Sequence, residues 1–134
     1  IETRGAFKVY AHKNVEIWCG DFFALNPRDV GHCTALYDRA AIIALPPDMR
    51  WRYVEQVNRL MAQDSRGLLI TLDYDQAQID GPPFSVDEDE VQQLLSPEWR
   101  VKMVGEWDVL EQSAKFKQAG VTGLMEYAYR LYRR

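Results

Sequence analysis

Cysteine is scarce in this sequence: Cys19 and Cys33 are the only two among 134 residues, and they form no CxxC pair. That is too few for a disulfide framework or a structural zinc site, so a reducing cytosol, and hence a cytoplasmic location, is the expectation. Both thiols read as small buried side chains. Histidine is equally thin, with only His12 and His32, so no His-rich metal constellation can be written and no metal site is expected. Only carboxylates remain as conceivable Mg2+ ligands. No apolar run approaches the roughly 18–20 residues that a membrane-spanning helix needs, which excludes a helical membrane role. The net charge is -4, and clustered Lys and Arg are lacking apart from Arg130, Arg133 and Arg134, read as a solvated strand end. A nucleic-acid partner is therefore disfavoured. GxSxG, GxxxxGK[ST] and GxGxxG are all absent, and neither cysteine has a histidine at a useful spacing, so nothing points to nucleophilic catalysis by the protein itself. Trp18, Trp51, Trp99 and Trp107 read as core or interface residues.

What is present is a soluble, globular composition, 47% hydrophobic and 27% charged, without repeats or linker-like stretches. One domain over residues 1–134 is the economical reading. Short β-prone runs occur at residues 6–10, 15–19 and 34–37, and residues 40–45 suit an apolar helical turn packed under a sheet. Pro46-Pro47 marks a helix start, and Tyr53, Val54, Val57, Leu60 and Met61 follow at helical spacing to about Ala62. Leu68-Leu69-Ile70-Thr71-Leu72 is nearly continuous, the pattern of a strand covered on both faces. Ser85-Val86-Asp87-Glu88 fits a capping box for a helix carrying Val91, Leu94 and Leu95. Alternating runs at residues 99–105 and 124–132 read as an antiparallel edge. The order describes the second half of a doubly wound, Rossmann-like α/β sheet, mostly parallel with an antiparallel C-terminal strand.

In open α/β sheets ligands bind beyond the carboxyl ends of the strands. Each of the three strands read as parallel ends in acid: Asp21, Asp38, then Asp73 with Asp75, with Arg39 beside Asp38. The plain alternative is that Asp caps strand-to-helix turns. The loop from Asp73 to Phe84 exceeds the usual connection of roughly 2–6 residues. It could close over a ligand, or be a rigid turn stiffened by Pro82-Pro83.

Three stretches together carry a resemblance. Cys19-Gly20-Asp21-Phe22-Phe23-Ala24-Leu25, Leu36-Tyr37-Asp38-Arg39-Ala40-Ala41, and Leu72-Asp73-Tyr74-Asp75 with Gly81-Pro82-Pro83-Phe84 resemble, in order and separation, the signatures of thiopurine S-methyltransferases. The similarity covers essentially the whole chain. It implies a class I methyltransferase fold with S-adenosyl-L-methionine as cofactor and a small-molecule thiol, selenium or tellurium compound as methyl acceptor. A cytoplasmic monomer is expected, with no nucleic acid or membrane partner. Carried over by position, Asp21 and Phe22 lie near the adenosine part of the cofactor. Arg39 lies near the reactive centre, contacting cofactor and acceptor and stabilising a thiolate, with Asp38 orienting it. Pro82, Pro83 and Phe84 wall the acceptor pocket, and Lys115 stands where some relatives carry an Arg that faces the substrate.

The family's first strand, its Gly-rich turn over the methionine moiety and its ribose-binding acid have no counterpart here. The expectation is a C-terminal portion of a methyltransferase domain, inactive in isolation. The other reading is a non-catalytic fragment or interaction module that retains the fold's second half. Intact mass spectrometry of the cellular protein is expected to exceed 15.6 kDa, the mass of these residues alone; a species at that mass would overturn the expectation.

Overall fold

A computed structural model describes all residues, Ile1–Arg134. The chain opens with β1 (Glu2–Arg4), β2 (Phe7–His12) and β3 (Val15–Cys19). These form a separate antiparallel sheet in the order β1-β2-β3. A 3-10 turn at Phe22–Ala24 and the short helix α1 (Pro27–Val30) lead to β4 (Cys33–Asp38). After a second 3-10 turn at Ile42–Ala44 come helix α2 (Pro47–Leu60), β5 (Met61–Asp73), α3 (Glu88–Leu95) and β6 (Trp99–Asp108). Helix α4 (Ala114–Gln118) and β7 (Met125–Arg133) complete the chain.

The main sheet has the order β4-β5-β7-β6. β4 pairs parallel with β5, while β7 runs antiparallel to both β5 and β6. Three strands thus share one direction and only the C-terminal strand opposes them. This is the expected mixed α/β sheet. β6 and β7 form its antiparallel edge pair, β6 outermost and β7 between it and β5, and the Tyr129 and Leu131 side chains of β7 are fully buried.

The helices form where the patterning predicts. Helix α2 starts with Pro46 at its N-cap and Pro47 in its first turn, and buries Tyr53, Val54, Val57 and Leu60. Helix α3 buries Val91, Leu94 and Leu95. Its cap differs from expectation: Asp87, not Ser85, accepts from the Glu90 amide at 2.9 Å. Ser85 is taken elsewhere, its Oγ accepting from the Tyr74 amide at 3.0 Å.

Both helices pack on the same face of the sheet. The core there joins Ile42 and Ile43, α2, α3, Leu69, Trp99, Tyr129 and Leu131. The other face carries Tyr37, 64% exposed, Leu68, 39%, and Trp107, 51%. The apolar run of β5 is therefore covered on one side in these 134 residues, not on both. A smaller cluster of Phe7, Val9, Leu25 and Leu60 attaches the β1–β3 sheet.

Several single-residue expectations are also corrected. Cys19 is exposed and Cys33 only half-buried. Of the tryptophans read as core or interface residues, Trp99 is fully buried and Trp51 and Trp107 are exposed, which overturns neither reading. Arg133 is no solvated tail residue: it donates to the carbonyls of Asn58 and Met61, both at 3.1 Å, and lies over the Trp99 ring. No helix is long and apolar enough to cross a membrane.

The covered and open faces differ in energetic weight. In urea unfolding of the 134-residue chain, Leu131→Ala is expected to cost about 2–5 kcal/mol as a cavity in the core. Leu68→Ala, on the open face, should change stability by no more than about 0.5 kcal/mol.

Candidate active site at the strand tips

Asp38 ends β4 inside the protein, 4% exposed. A buried carboxylate is costly unless it is bonded, and this one has three donors. Oδ1 accepts from the amides of Ala41 (3.1 Å) and Ile42 (3.3 Å), and Oδ2 accepts from the Tyr53 hydroxyl at 2.6 Å. Burial, followed by the Asp38 charge, pushes the Tyr53 phenol far above its ordinary pKa, so it stays a donor. Asp38 makes no direct bond to Arg39, so its hold on that residue runs through the turn. Its oxygens hold the turn after Arg39, and no ion pair joins the two residues.

That turn sends Ile42 and Ile43 into the core and leaves Arg39 exposed. Arg39 takes part in none of the chain's ion pairs. It borders an open hollow of about 420 Å³ on the uncovered face, with Tyr37, Ile70, Trp107, Asp108 and Glu126. These residues come from all four strands of the main sheet, at or near their tips.

Asp21 follows β3, which pairs antiparallel with β2, and so does not end a parallel strand, contrary to expectation. It caps the 3-10 turn, one oxygen accepting from the Phe23 amide at 2.9 Å. Its other oxygen makes no hydrogen bond within the chain. The Phe22 ring lies 5.4 Å from the Tyr53 ring, centroid to centroid. Gln56 fastens the same turn by donating to the carbonyls of Phe22 (2.9 Å) and Leu25 (2.7 Å). Tyr53 therefore touches both the Asp21-Phe22 turn and Asp38, a link that the helical spacing of Tyr53 marked only as core.

At the tip of β5, Asp75 caps its own turn by accepting from the Ala77 amide at 3.0 Å. Asp73 lies apart from Asp38, beside Asp87, Glu88 and Tyr127. Burial, and then the Asp87 charge, raises its carboxyl above the usual range, against the hydrogen bonds of Tyr127 and Ser85. No group of three His, Cys, Asp or Glu side chains is placed to hold a metal ion.

The loop of Pro82, Pro83 and Phe84 is tethered rather than free. Both peptide bonds entering the prolines are cis. Lys115 Nζ donates to the Pro82 carbonyl at 2.9 Å, and the Tyr74 hydroxyl donates to the Pro83 carbonyl. The structure thus ties Lys115 to the loop, and the hollow that Arg39 borders is lined by none of Pro82, Pro83, Phe84 and Lys115. Sequence reasoning missed Tyr53, Tyr74 and Arg50, whose polar atoms hold these pieces in place. No signal in the sequence marked them, since their roles follow from burial and distant partners that only the fold shows.

Solved structures share the overall fold of this chain. A SAM-dependent methyltransferase from Anabaena variabilis matches with a TM-score of 0.57 at 11% identity, covering 85% of this chain and 56% of that one. A [4+2]-cyclase matches at 0.53 and 10% identity, over 84% of this chain and 54% of its own. The likeness accordingly defines a fold, that of the class I S-adenosylmethionine-dependent methyltransferases, and not a reaction. Sequence narrows the class. The model of the thiopurine S-methyltransferase (TPMT) family matches residues 1–134, and the chain belongs to that family. Thiopurine S-methyltransferase of Pseudomonas fluorescens Pf-5 is 56% identical over 131 residues, 98% of this chain and 59% of the relative. That of Pseudomonas syringae pv. tomato is 54% identical over the whole chain and 61% of its own length. The chain therefore spans only about three fifths of these relatives.

Tyr53→Phe removes the hydroxyl from a buried carboxylate while keeping the ring against Phe22. We expect a loss of about 1–3 kcal/mol in denaturant unfolding, the cost of an under-bonded buried acceptor. A loss below the error of the measurement would contradict the assigned role of the Asp38–Tyr53 bond.

Proposed function

We propose that this chain is the acceptor-side portion of an S-adenosylmethionine-dependent methyltransferase acting on thiols and other soft chalcogens, including selenium and tellurium compounds. The observation that carries the proposal is Arg39: an exposed guanidinium without an ion-pair partner, at a hollow on the strand tips. Membership of the thiopurine S-methyltransferase family supplies the reaction class.

The residues present fit part of the cofactor. Asp21 has one carboxylate oxygen unbonded and stands next to the half-buried Phe22 ring, an acceptor and an apolar wall suited to the adenine amino group and ring. The complete site requires residues beyond these 134, and the relatives' extra length is the natural source, also as cover for the open face of the sheet. When bound, S-adenosylmethionine supplies a methyl group already activated on a sulfonium. The chain's task is then to hold the acceptor. A thiol reacts as its thiolate, and a cation close by favours that form. Arg39 serves as the cation, releasing the thiol proton to water, while Pro82, Pro83 and Phe84 orient the acceptor and Lys115 props the loop. Alignment of this kind contributes on the order of 7–11 kcal/mol in favourable reactions. The proposed setting is a cytoplasmic monomer.

The test uses these residues completed with the unmatched part of the Pseudomonas fluorescens Pf-5 relative. The chimera should bind S-adenosylhomocysteine in calorimetry and methylate an aromatic thiol, and the 134 residues alone should do neither appreciably. Arg39→Ala should lower kcat/KM about 10²-fold, as loss of one preorganised charge-stabilising donor does. An unchanged kcat/KM would remove Arg39 from the mechanism. A chimera without binding heat would favour the non-catalytic module.

A further inference from the structure

The Phe84 ring rests against two groups that no acceptor would touch. Arg50, in the first turn of α2, is 2% exposed, and its guanidinium carbon lies 5.5 Å from the centre of the Phe84 ring. The same guanidinium donates to the Leu45 carbonyl at 2.9 Å and to both carboxylate oxygens of Glu90 on α3, at 3.0 and 2.8 Å. The second group is Gly81. A Cβ there would stand 2.4 Å from the ring, so Phe84 occupies the space of the missing side chain. The Phe84 amide in turn donates to the Ile43 carbonyl at 2.6 Å.

These contacts share one frame. Ile43 and Leu45 belong to the turn that begins at Arg39 and is pinned by Asp38. Arg50 bonds that turn at Leu45 and faces the ring of Phe84. Two links, the Phe84 amide on the Ile43 carbonyl and Arg50 between the Leu45 carbonyl and the ring, thus fix Phe84 to the turn that begins at Arg39. A lysine could not replace Arg50, because only the guanidinium fork can bond a carbonyl and a carboxylate while presenting a flat face to an aromatic ring. Stability alone gives little reason to bury such a pair, since well-packed apolar residues often do as well.

We propose that Arg50, held by Glu90, is a positioning residue that sets the Phe84 wall against Arg39 and so determines how well a planar aromatic thiol is accepted over a small aliphatic one. The inference rests on the reading of Pro82, Pro83 and Phe84 as the acceptor wall. A flat acceptor needs the ring at a fixed height and tilt, whereas a small thiol reaches Arg39 without it.

The experiment uses the chimera described above and compares thiophenol with 2-mercaptoethanol. Three variants are made: Arg50→Lys, the apolar pair Arg50→Met with Glu90→Leu, and Gly81→Ala, which displaces the ring without altering Arg50. Each should lower kcat/KM for thiophenol about tenfold, as loss of one desolvated cation–aromatic contact would, chiefly through KM. For 2-mercaptoethanol kcat/KM should stay within about twofold, as should the Kd for S-adenosylhomocysteine, since neither uses that contact. Equal losses on both thiols, or weakened S-adenosylhomocysteine binding, would mean a merely structural role and overturn the inference. If the Arg50 variants fail to fold, Gly81→Ala decides alone, and an unmoved thiol preference there overturns it. Lack of methyl transfer by the unsubstituted chimera would sink the functional reading itself and this inference with it. Activity with an unmoved preference would sink only the inference.

Discussion

The buried carboxylate of Asp38 is the constraint on which the strand-tip geometry depends. A charge at that depth is tolerable only with donors around it, and its three donors come from two places, the turn that follows it and helix α2. The Ala41 and Ile42 amides force the chain to turn immediately after Arg39. The Tyr53 hydroxyl fixes helix α2 against the end of β4. Because Tyr53 also lies against Phe22, the same residue carries the fixed point across to the turn of Asp21. Arg39 is thereby turned outward by the bonds that hold its neighbour inward.

A second network extends that frame to the loop after β5. Ile43 and Arg50 reach the loop from the turn and helix α2; Tyr74, Gln76 and Lys115 reach it from β5's end and from α4. The Pro82 and Pro83 carbonyls and the Phe84 and Ser85 amides are all bonded. The rigid reading of the double proline therefore holds over the closing-lid reading. Asp21 presents the opposite case, exposed and with one carboxylate oxygen free of any bond within the chain.

The fold was largely legible where burial is local and periodic. Tyr53, Val54, Val57 and Leu60 mark the covered face of α2, and Val91, Leu94 and Leu95 that of α3. Legibility failed where the answer depended on a distant partner. Val15–Cys19 reads like a strand of the main sheet, yet it pairs only with β2. Ser85 has the spacing of a helix cap, but the Tyr74 amide claims it. Arg133 looks like a solvated end until Asn58, Met61 and Trp99 surround it. Leu68 and Ile70 look buried because an apolar run does not say which of its two faces will be covered.

For the candidate site, the residues and their family resemblance came from the sequence by itself: Asp21, Phe22, Asp38, Arg39, the Pro82–Phe84 stretch and Lys115 are chemically distinctive in order and spacing. Their arrangement did not. Only the tertiary structure decided that Asp38 holds a turn instead of Arg39, that Lys115 props the Pro82 carbonyl, and that Arg50 reaches from α2 to both Glu90 and Phe84. Hydrophobic periodicity is written along the chain because each turn of helix or strand samples its surroundings locally. The partner of a hydrogen bond is not, since a donor is satisfied by whichever acceptor the folded chain brings within about 3 Å.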